Sequence, residues 1–352
     1  MSLKFGLVGC GRIAKRHAEL LGLNNIANAE LAAVCDSNGQ KAAEVGQRFG
    51  VPFYSDMEEM AEREQLDAIS VLTPSGFHAD HVVRLAKYKK HIVVEKPIAL
   101  NLADADRMIA ACQEHNVKLF VVKQNRFNLP VVKLREALDA GRFGKIVLGT
   151  VRVRWCRTQE YYDQDSWRGT WRYDGGVLSN QASHHIDLLE WMMGDVESVY
   201  AKSITALVNT ETEDTAVAVV KFKSGALGAI EATTATRPKD LEGSISILGE
   251  RGTVEIGGFA VNSMKVWEFG KPLPEDAEIR EKYSVNPPNV YGFGHQAYYE
   301  HVVDCILKNT TPLVDGAEGR KSLRLLSALY ESIETGREIS LLFRPDKCKL
   351  GR

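Results

Sequence analysis

The sequence predicts an α/β chain of two domains. A doubly wound parallel sheet is expected over residues 1–122, followed over residues 123–352 by an α+β domain with a mostly antiparallel open sheet. Three observations predict this. The chain has 352 residues, 44% of them hydrophobic, which is more core than one typical domain holds. Short apolar strands and amphipathic helices alternate as far as Val122, the pattern of a parallel sheet. Beyond Val122 the regular alternation stops and longer β-rich segments follow, several separated by turns such as Lys223-Ser224-Gly225 and Gly249-Glu250-Arg251-Gly252.

The first strand, Leu3 to Val8, runs directly into Gly9-Cys10-Gly11-Arg12-Ile13-Ala14, and a helix is expected from Ala14 to Leu21. This G-x-G-x-x-A between strand and helix is the dinucleotide fingerprint of a Rossmann fold. Its first glycine permits a tight turn, its second lets a diphosphate approach the backbone, and its small third residue lets the helix pack on the strand. A second strand, Ala29 to Cys35, ends in Asp36-Ser37. A carboxylate there accepts hydrogen bonds from the adenosine ribose and repels a 2′-phosphate, so NAD is expected over NADP. Arg12 points the other way, because a basic residue in the glycine loop can swing toward either phosphate.

Further elements are a helix over Gln40 to Phe49, a strand over Leu66 to Leu72 ending in Thr73-Pro74-Ser75, and a helix over Gly76 to Tyr88. Then come a strand at His91 to Val94, a helix at Leu102 to His115 and a strand at Val117 to Val122. The strand at His91 stops abruptly at Glu95-Lys96-Pro97. Ligands of open α/β sheets sit at the carboxyl ends of the strands, which places Thr73, Pro74, Ser75, Glu95 and Lys96 on the rim of the glycine loop. His78 either faces the cofactor or is solvated or caps its helix.

After the polar run Lys123-Gln124-Asn125-Arg126-Phe127-Asn128, a helix is expected from Pro130 to Ala140. Strands follow at Ile146–Trp155, Val196–Val208, Thr215–Phe222, Ala226–Thr234 and Ser244–Leu248. Gly257 to Asn289 is rich in Gly, Pro and charge and shows no clear period, and helices are expected at His295–Lys308 and Gly319–Thr335. Two stretches here carry chemistry. Arg152, Arg154 and Arg157, with Tyr161, Tyr162, Trp167, Arg168 and Arg172, suit a ligand with phosphate and carboxylate groups; Arg152 and Arg172 are expected on a solvated or subunit-facing sheet surface. In the second, Gly175-Gly176 is expected to open a helix on which Asn180, His184 and Asp187 share one face, with Ser183 beside them. His185 points elsewhere and reads as structural.

The formal net charge of -2 makes no electrostatic case for nucleic acid or an acidic membrane surface. No apolar run reaches the ~20 residues that span a bilayer. Met1-Ser2-Leu3-Lys4 leads straight into a strand, so no signal peptide is expected. The six cysteines are scattered without a C-x-x-C pair, as in a reducing compartment, and a cytoplasmic location follows. No Cys/His set of metal-ligand spacing is visible, and no metal is expected.

On the glycine loop, Glu95-Lys96-Pro97 and the Gly-Gly stretch ending in His184-His185-Ile186-Asp187, the chain resembles the Gfo/Idh/MocA oxidoreductase family over nearly its full length. The resemblance implies oxidation or reduction of a sugar at one carbon by NAD, a cis Lys96-Pro97 bond, and Lys96 touching both nicotinamide ribose and substrate. It also implies cofactor contact by Trp167-Arg168 and a homo-oligomer, a tetramer by resemblance. Most members carry an Asp one helical turn before the catalytic His; here it is Asn180, and Ala182 replaces a usual glycine. The Asp-His dyad is absent, which shifts chemical weight toward Lys96.

Lys123 to Asn128, Asn180 and Trp191-Met192-Met193-Gly194-Asp195-Val196 are similar to a narrower group, the UDP-N-acetyl-2-amino-2-deoxyglucuronate (UDP-GlcNAcA) 3-dehydrogenases of bacterial surface-polysaccharide (lipopolysaccharide O-antigen) synthesis. That similarity implies oxidation of the C3 hydroxyl of the UDP-sugar, with NADH recycled in place by 2-oxoglutarate. The expected catalytic residues are Lys96 and His184. The expected cofactor residues are Gly9, Gly11, Arg12, Ile13, Asp36, Ser37, Thr73, Pro74, Ser75, His78, Glu95, Lys96, Gln124, Trp167 and Arg168. The expected substrate residues are Lys96, Arg157, Tyr161, Asn180, Ser183 and His184. Rival readings are a generic sugar or inositol dehydrogenase, an NAD-dependent glycosidase and a non-catalytic NAD-binding protein.

Overall fold

The computed structural model describes residues 2–284, 293–345 and 347–352, which form two compact units. The first comprises residues 1–122 and 295–323, the second residues 123–294 and 324–352.

In the first unit the chain alternates strictly: β1 (Leu3–Val8), α1 (Ala14–Gly22), β2 (Ala29–Cys35), α2 (Gly39–Phe49), β3 (Phe53–Tyr54), α3 (Met57–Arg63), β4 (Ala68–Val71), α4 (His78–Ala86), β5 (His91–Val94), α5 (Leu102–Glu114) and β6 (Leu119–Val121). The strands form a parallel sheet in the order β3-β2-β1-β4-β5-β6. The winding reverses between β1 and β4, so the loops after these strands flank the switch point where such sheets bind ligands. Their apolar runs are continuous because the strands are covered on both faces; all four residues of β4 are buried. Asn38, Asp56 and Asn101 cap α2, α3 and α5 with side-chain oxygens on free helix amides.

The strand expected over Leu66–Leu72 is shorter, and the helix expected from Gly76 opens as a 3₁₀ turn, Ser75–Phe77, ahead of α4. β3 and α3 were not expected. Residues 295–323 join this unit because Val121 N–H donates to the Val314 carbonyl, Arg320 pairs with Asp106, and Leu323 is buried in the core with Val121 and Leu119.

The second unit begins with α6 (Leu129–Asp139), β7 (Ile146–Arg154), α7 (Gln159–Asp163) and α8 (Ser183–Met193). It continues with β8 (Val196–Ile204), β9 (Thr215–Phe222), β10 (Leu227–Thr233), β11 (Glu242–Gly249), β12 (Gly252–Gly257), β13 (Ser263–Phe269) and α9 (Asp276–Lys282). Of the two last helices, α10 (Gly294–Leu307) falls in the first unit from His295 onward, and α11 (Gly316–Thr335) returns the chain to the second from Arg324; β14 (Ile339–Ser340) follows. The sheet runs β13-β12-β11-β7-β10-β9-β8-β14 and is antiparallel except where β7 meets β10. One face carries α8, packed close on β7: a Cβ at Gly149 would lie 2.6 Å from Met193 Sδ. Along β9 residues alternate between buried Ala216, Ala218 and Val220 and exposed Val217 and Val219.

The stretch from Gly257, which shows no clear period in sequence, holds the end of β12, then β13 and α9, while its end, 285–289, lies outside the described residues. One expectation is corrected. The helix expected from Gly175-Gly176 starts only at Ser183, after a turn over 177–182 in which Ala182 N–H reaches the Val177 carbonyl, one residue farther back than in an α-helix. Asn180 therefore lies ahead of the helix and shares no helical face with His184 and Asp187.

Candidate active site

In the first unit the expected rim residues come together. Gly9 takes φ +99°, a conformation that L side chains rarely adopt, and a Cβ there would lie 2.9 Å from the Leu72 backbone. The loop after β1 is thus pressed on the loop after β4. At Gly11 a Cβ would meet nothing within 4 Å, so this exposed position is open for a ligand to approach the backbone, with Arg12 and Ile13 leading into α1. Asp36 lies half-buried at the end of β2. Its carboxylate accepts Cys10 N–H at 2.7 Å and Asn38 N–H at 2.8 Å, with exposed Ser37 between, so its oxygens are fixed beside the glycine loop. Each oxygen retains a lone pair for a ribose hydroxyl.

Thr73, Pro74 and Ser75 are half-buried on the adjoining loop. His78 is fully buried, with Nδ1 2.9 Å from the Pro97 carbonyl and Nε2 2.9 Å from the Thr73 carbonyl. It ties the loops after β4 and β5 together, and burial lowers its pKa. Lys96 is half-buried, and the Lys96–Pro97 bond is cis. Beneath it, Glu95 Oε2 accepts Lys96 N–H at 2.9 Å and Oε1 lies 3.0 Å from His17 Nε2. His17 Nδ1 is 2.6 Å from the Tyr299 hydroxyl, which is 2.9 Å from Ser70 Oγ. With the His17 proton on Nε2, donation runs from Ser70 through Tyr299 and His17 to Glu95. Burial alone would raise the Glu95 carboxyl, but the hydrogen bond from His17 and the nearby His295 ring hold it well below the ordinary range. His17 and Tyr299 were not anticipated: both depend on residues far apart in sequence.

The second unit carries its own cluster. His184, buried near the start of α8, has Nε2 3.0 Å from the Gln124 amide. Asn180 donates its amide to Asp174 Oδ1, and the other oxygen of Asp174 accepts Gly169 N–H at 2.8 Å. Asp174 therefore links the Trp167-Arg168-Gly169 loop to the turn that leads into α8. Ser183 Oγ donates to the Asn180 carbonyl at 3.3 Å. Arg168 donates to the Tyr161 hydroxyl at 2.8 Å and to Asp165 at 3.0 Å, with its guanidinium 4.5 Å from the Trp167 ring centroid. Arg157, held 3.0 Å from Asp240, lies 5.4 Å from the Tyr161 ring, so that ring is flanked by two arginines. Arg152 and Arg154 pair with Glu242 and Glu231 on the sheet, and Arg172 is exposed over Tyr173.

Asp187 accepts from Arg126 Nε and Nη2, both at 2.8 Å, with Lys123 Nζ 3.6 Å away, all buried. Burial alone would raise the Asp187 carboxyl, but Arg126 and Lys123 pull it below the ordinary range. The polar residue on the inner face of α8 thus anchors the chain at 123–126. His185 is buried against Trp155 at 5.9 Å, and burial lowers its pKa to about 4.

Family comparison settles what these units are. Residues 3–123 match the oxidoreductase family's NAD-binding Rossmann fold, and residues 135–341 its C-terminal alpha/beta domain. The chain belongs to the Gfo/Idh/MocA oxidoreductase family. Among relatives, a myo-inositol 2-dehydrogenase of Thermotoga maritima is 31% identical over 96% of this chain and 98% of its own. The WlbA dehydrogenase from Bordetella pertussis, solved with NADH and UDP-GlcNAcA, is 43% identical with a TM-score of 0.89, covering 97% of this chain and 99% of its own. The WlbA dehydrogenase from Chromobacterium violaceum, solved with the same two ligands, is 43% identical with a TM-score of 0.90, covering 97% and 96%. As a member of this family the chain is a dehydrogenase with NAD as its cofactor. Open Gly11 and the fixed Asp36 carboxylate fit that dinucleotide.

Proposed function

We propose that the protein oxidises the C3 hydroxyl of UDP-GlcNAcA to the 3-keto sugar, in the supply of bacterial surface-polysaccharide precursors. The observation that carries this reading is the 43% identity, over 97% of the chain, to two dehydrogenases that hold NADH and UDP-GlcNAcA. The Arg157–Tyr161–Arg168 cluster supports it, because stacked guanidinium groups suit a ligand bearing diphosphate and carboxylate.

NAD, when bound, would supply the acceptor for the hydride leaving the sugar carbon. Lys96 takes the hydroxyl proton: a partly desolvated lysine beside a cationic ring is pushed toward its neutral, basic form. His184 hydrogen-bonds the sugar, its ring held by Gln124. Gly9, Gly11, Arg12 and Ile13 receive the diphosphate, Asp36 and Ser37 the adenosine ribose. Thr73, Pro74, Ser75, Trp167 and Arg168 line the rest of the cofactor's path, while His78 and Glu95 position the loops that bear it. Arg157, Tyr161, Asn180 and Ser183 bind substrate. NADH is recycled in place by 2-oxoglutarate, and the enzyme works in the cytoplasm as a tetramer.

The test is to incubate the purified protein with UDP-GlcNAcA and 2-oxoglutarate, without added NAD. Formation of 2-hydroxyglutarate and 3-keto sugar is expected. No oxidation of UDP-GlcNAcA, even after NAD is supplied, would remove this reading. The 31% identity to a myo-inositol 2-dehydrogenase favours a second one, which steady-state NADH formation with free inositols would reveal.

A further inference from the structure

The turn over 177–182 presents His184 at the head of α8; Asn180 N–H and Ala182 N–H bond to the nearby Gly176 and Val177 carbonyls, but the amides of residues 176–179 are held from outside it. Gly176 N–H and Ser179 N–H both donate to the Tyr330 hydroxyl, each at 3.2 Å. Leu178 N–H donates to Glu213 Oε1 at 3.0 Å, and Val177 N–H to the Glu213 carbonyl at 3.0 Å. The Tyr330 hydroxyl in turn donates to Glu213 Oε1 at 2.9 Å. One O–H given and two N–H accepted use the full capacity of a phenol. Four successive amides are thereby captured by two side chains and one carbonyl from distant parts of the chain.

Both residues are deeply buried, Tyr330 fully and Glu213 at 5% exposure. Glu213 Oε2 has no hydrogen-bond partner among the described residues, and it lies so close over Gly176 that a Cβ there would be 2.0 Å away. The neighbouring Thr212 hydroxyl adds contacts to the Gly169 and Gly175 carbonyls at 3.1 and 3.2 Å. Gly169 is the residue that Asp174 joins to Asn180, so this brace reaches the Trp167-Arg168 loop as well.

We propose that Glu213 and Tyr330 are positioning residues: they clamp the amides of residues 176–179 and so set where Asn180, Ser183 and His184 meet the sugar. The clamp costs folding energy, since a buried carboxylate with one oxygen unsatisfied is disfavoured; burial pushes the Glu213 carboxyl up to about 7. That cost sets the clamp apart from ordinary core packing.

The role toward sugar rests on the UDP-GlcNAcA reading; the clamping of the amides does not, and the two are measured separately. Hydrogen exchange on the wild-type holoenzyme should show the 176–179 amides among the slow-exchanging amides of the second unit, although they lie outside its regular helices and strands. In Tyr330→Phe, which keeps the ring, they should exchange about tenfold faster. In the same variant the KM for UDP-GlcNAcA should rise about tenfold while NAD affinity stays within about twofold. Glu213→Ala should do the same, and Glu213→Gln, which keeps an acceptor at Oε1, should recover most of both losses.

Fast exchange at 176–179 in the wild type, or exchange unchanged by Tyr330→Phe, overturns the proposal. So does a fall in thermal stability with the sugar KM unmoved, which marks a merely structural pair. If the wild type fails to oxidise UDP-GlcNAcA at all, the functional reading falls and the exchange experiment still decides the clamp.

Discussion

The two units build their candidate sites by different means. In the first, the dinucleotide loops are made from backbone and short local motifs: a glycine at φ +99°, an open glycine, and a carboxylate on the next strand that accepts two nearby amides. Lys96, by contrast, rests on a buried chain of distant side chains, Glu95 with His17 and Tyr299. In the second, the site is suspended from buried charged and phenolic side chains that come from far away in sequence. Asp187 holds Arg126 and Lys123, while Glu213 and Tyr330 hold the turn before α8. A site of the first kind is cheap in desolvation and tolerant of its surroundings. One of the second kind carries a large electrostatic cost in exchange for a fixed geometry. Substitutions should therefore separate binding from stability in the first unit and couple them in the second.

The largest stability effect is expected at Asp187. Asp187→Ala removes the carboxylate that accepts two hydrogen bonds from buried Arg126 and should cost about 3–5 kcal/mol in denaturant unfolding. Retention of wild-type stability would mean the buried ion pair is not what anchors α8.

Glu213 comes next. Its folded pKa of about 7 lies above the ordinary 4.5, so the folded state binds the extra proton between those values. The stability it contributes is present at low pH and lost as pH rises through 7. Wild-type stability should fall relative to Glu213→Gln by about 3 kcal/mol between pH 4.5 and 7, following a shift from 4.5 to about 7. Urea titrations of both proteins across that range check it, and parallel curves would contradict it.

The glycines sharpen the contrast from the other side. Gly9→Ala forces a positive φ and a clash with Leu72, and should cost about 1–3 kcal/mol of stability. Gly11→Ala meets nothing in the protein, so thermal stability should be unchanged while NAD affinity falls about tenfold by calorimetry. The smallest effect is expected at Arg152. Its guanidinium is 3.9 Å from Glu242 and partly exposed, so Arg152→Ala should shift stability by less than about 0.5 kcal/mol and leave the sugar KM alone.

The same division explains what was legible in the sequence. The doubly wound unit could be read because its strands are continuous apolar runs and its loops carry motifs whose chemistry is local. Lys96 and Asp36 stand where the strand ends placed them. In the second unit β13 is hard to read from sequence because its pairing with β12 slips register between Glu255 and Ile256, leaving Lys265 extra and breaking the two-residue alternation along β13. The start of α8 was misplaced for a different reason. The amides of residues 176–179 are satisfied by Glu213 and Tyr330 rather than by helical carbonyls, and no nearby residue signals that. Asp187 reads from sequence as one of a polar set with Asn180 and His184. Its partners proved to be Arg126 and Lys123, some 60 residues earlier, a distance that helical periodicity cannot bridge.

The central claim is that Lys96, on the rim of the first unit, carries the proton transfer, and that His184 serves mainly to hold the sugar. Single-turnover formation of NADH from UDP-GlcNAcA tests it most directly, comparing Lys96→Ala with His184→Asn at saturating substrate. Lys96→Ala should slow the chemical step by a factor on the order of 100–10,000, and His184→Asn should slow it far less while raising the substrate concentration needed. Near-normal hydride transfer in the Lys96 variant, with the larger loss at His184, would contradict the account.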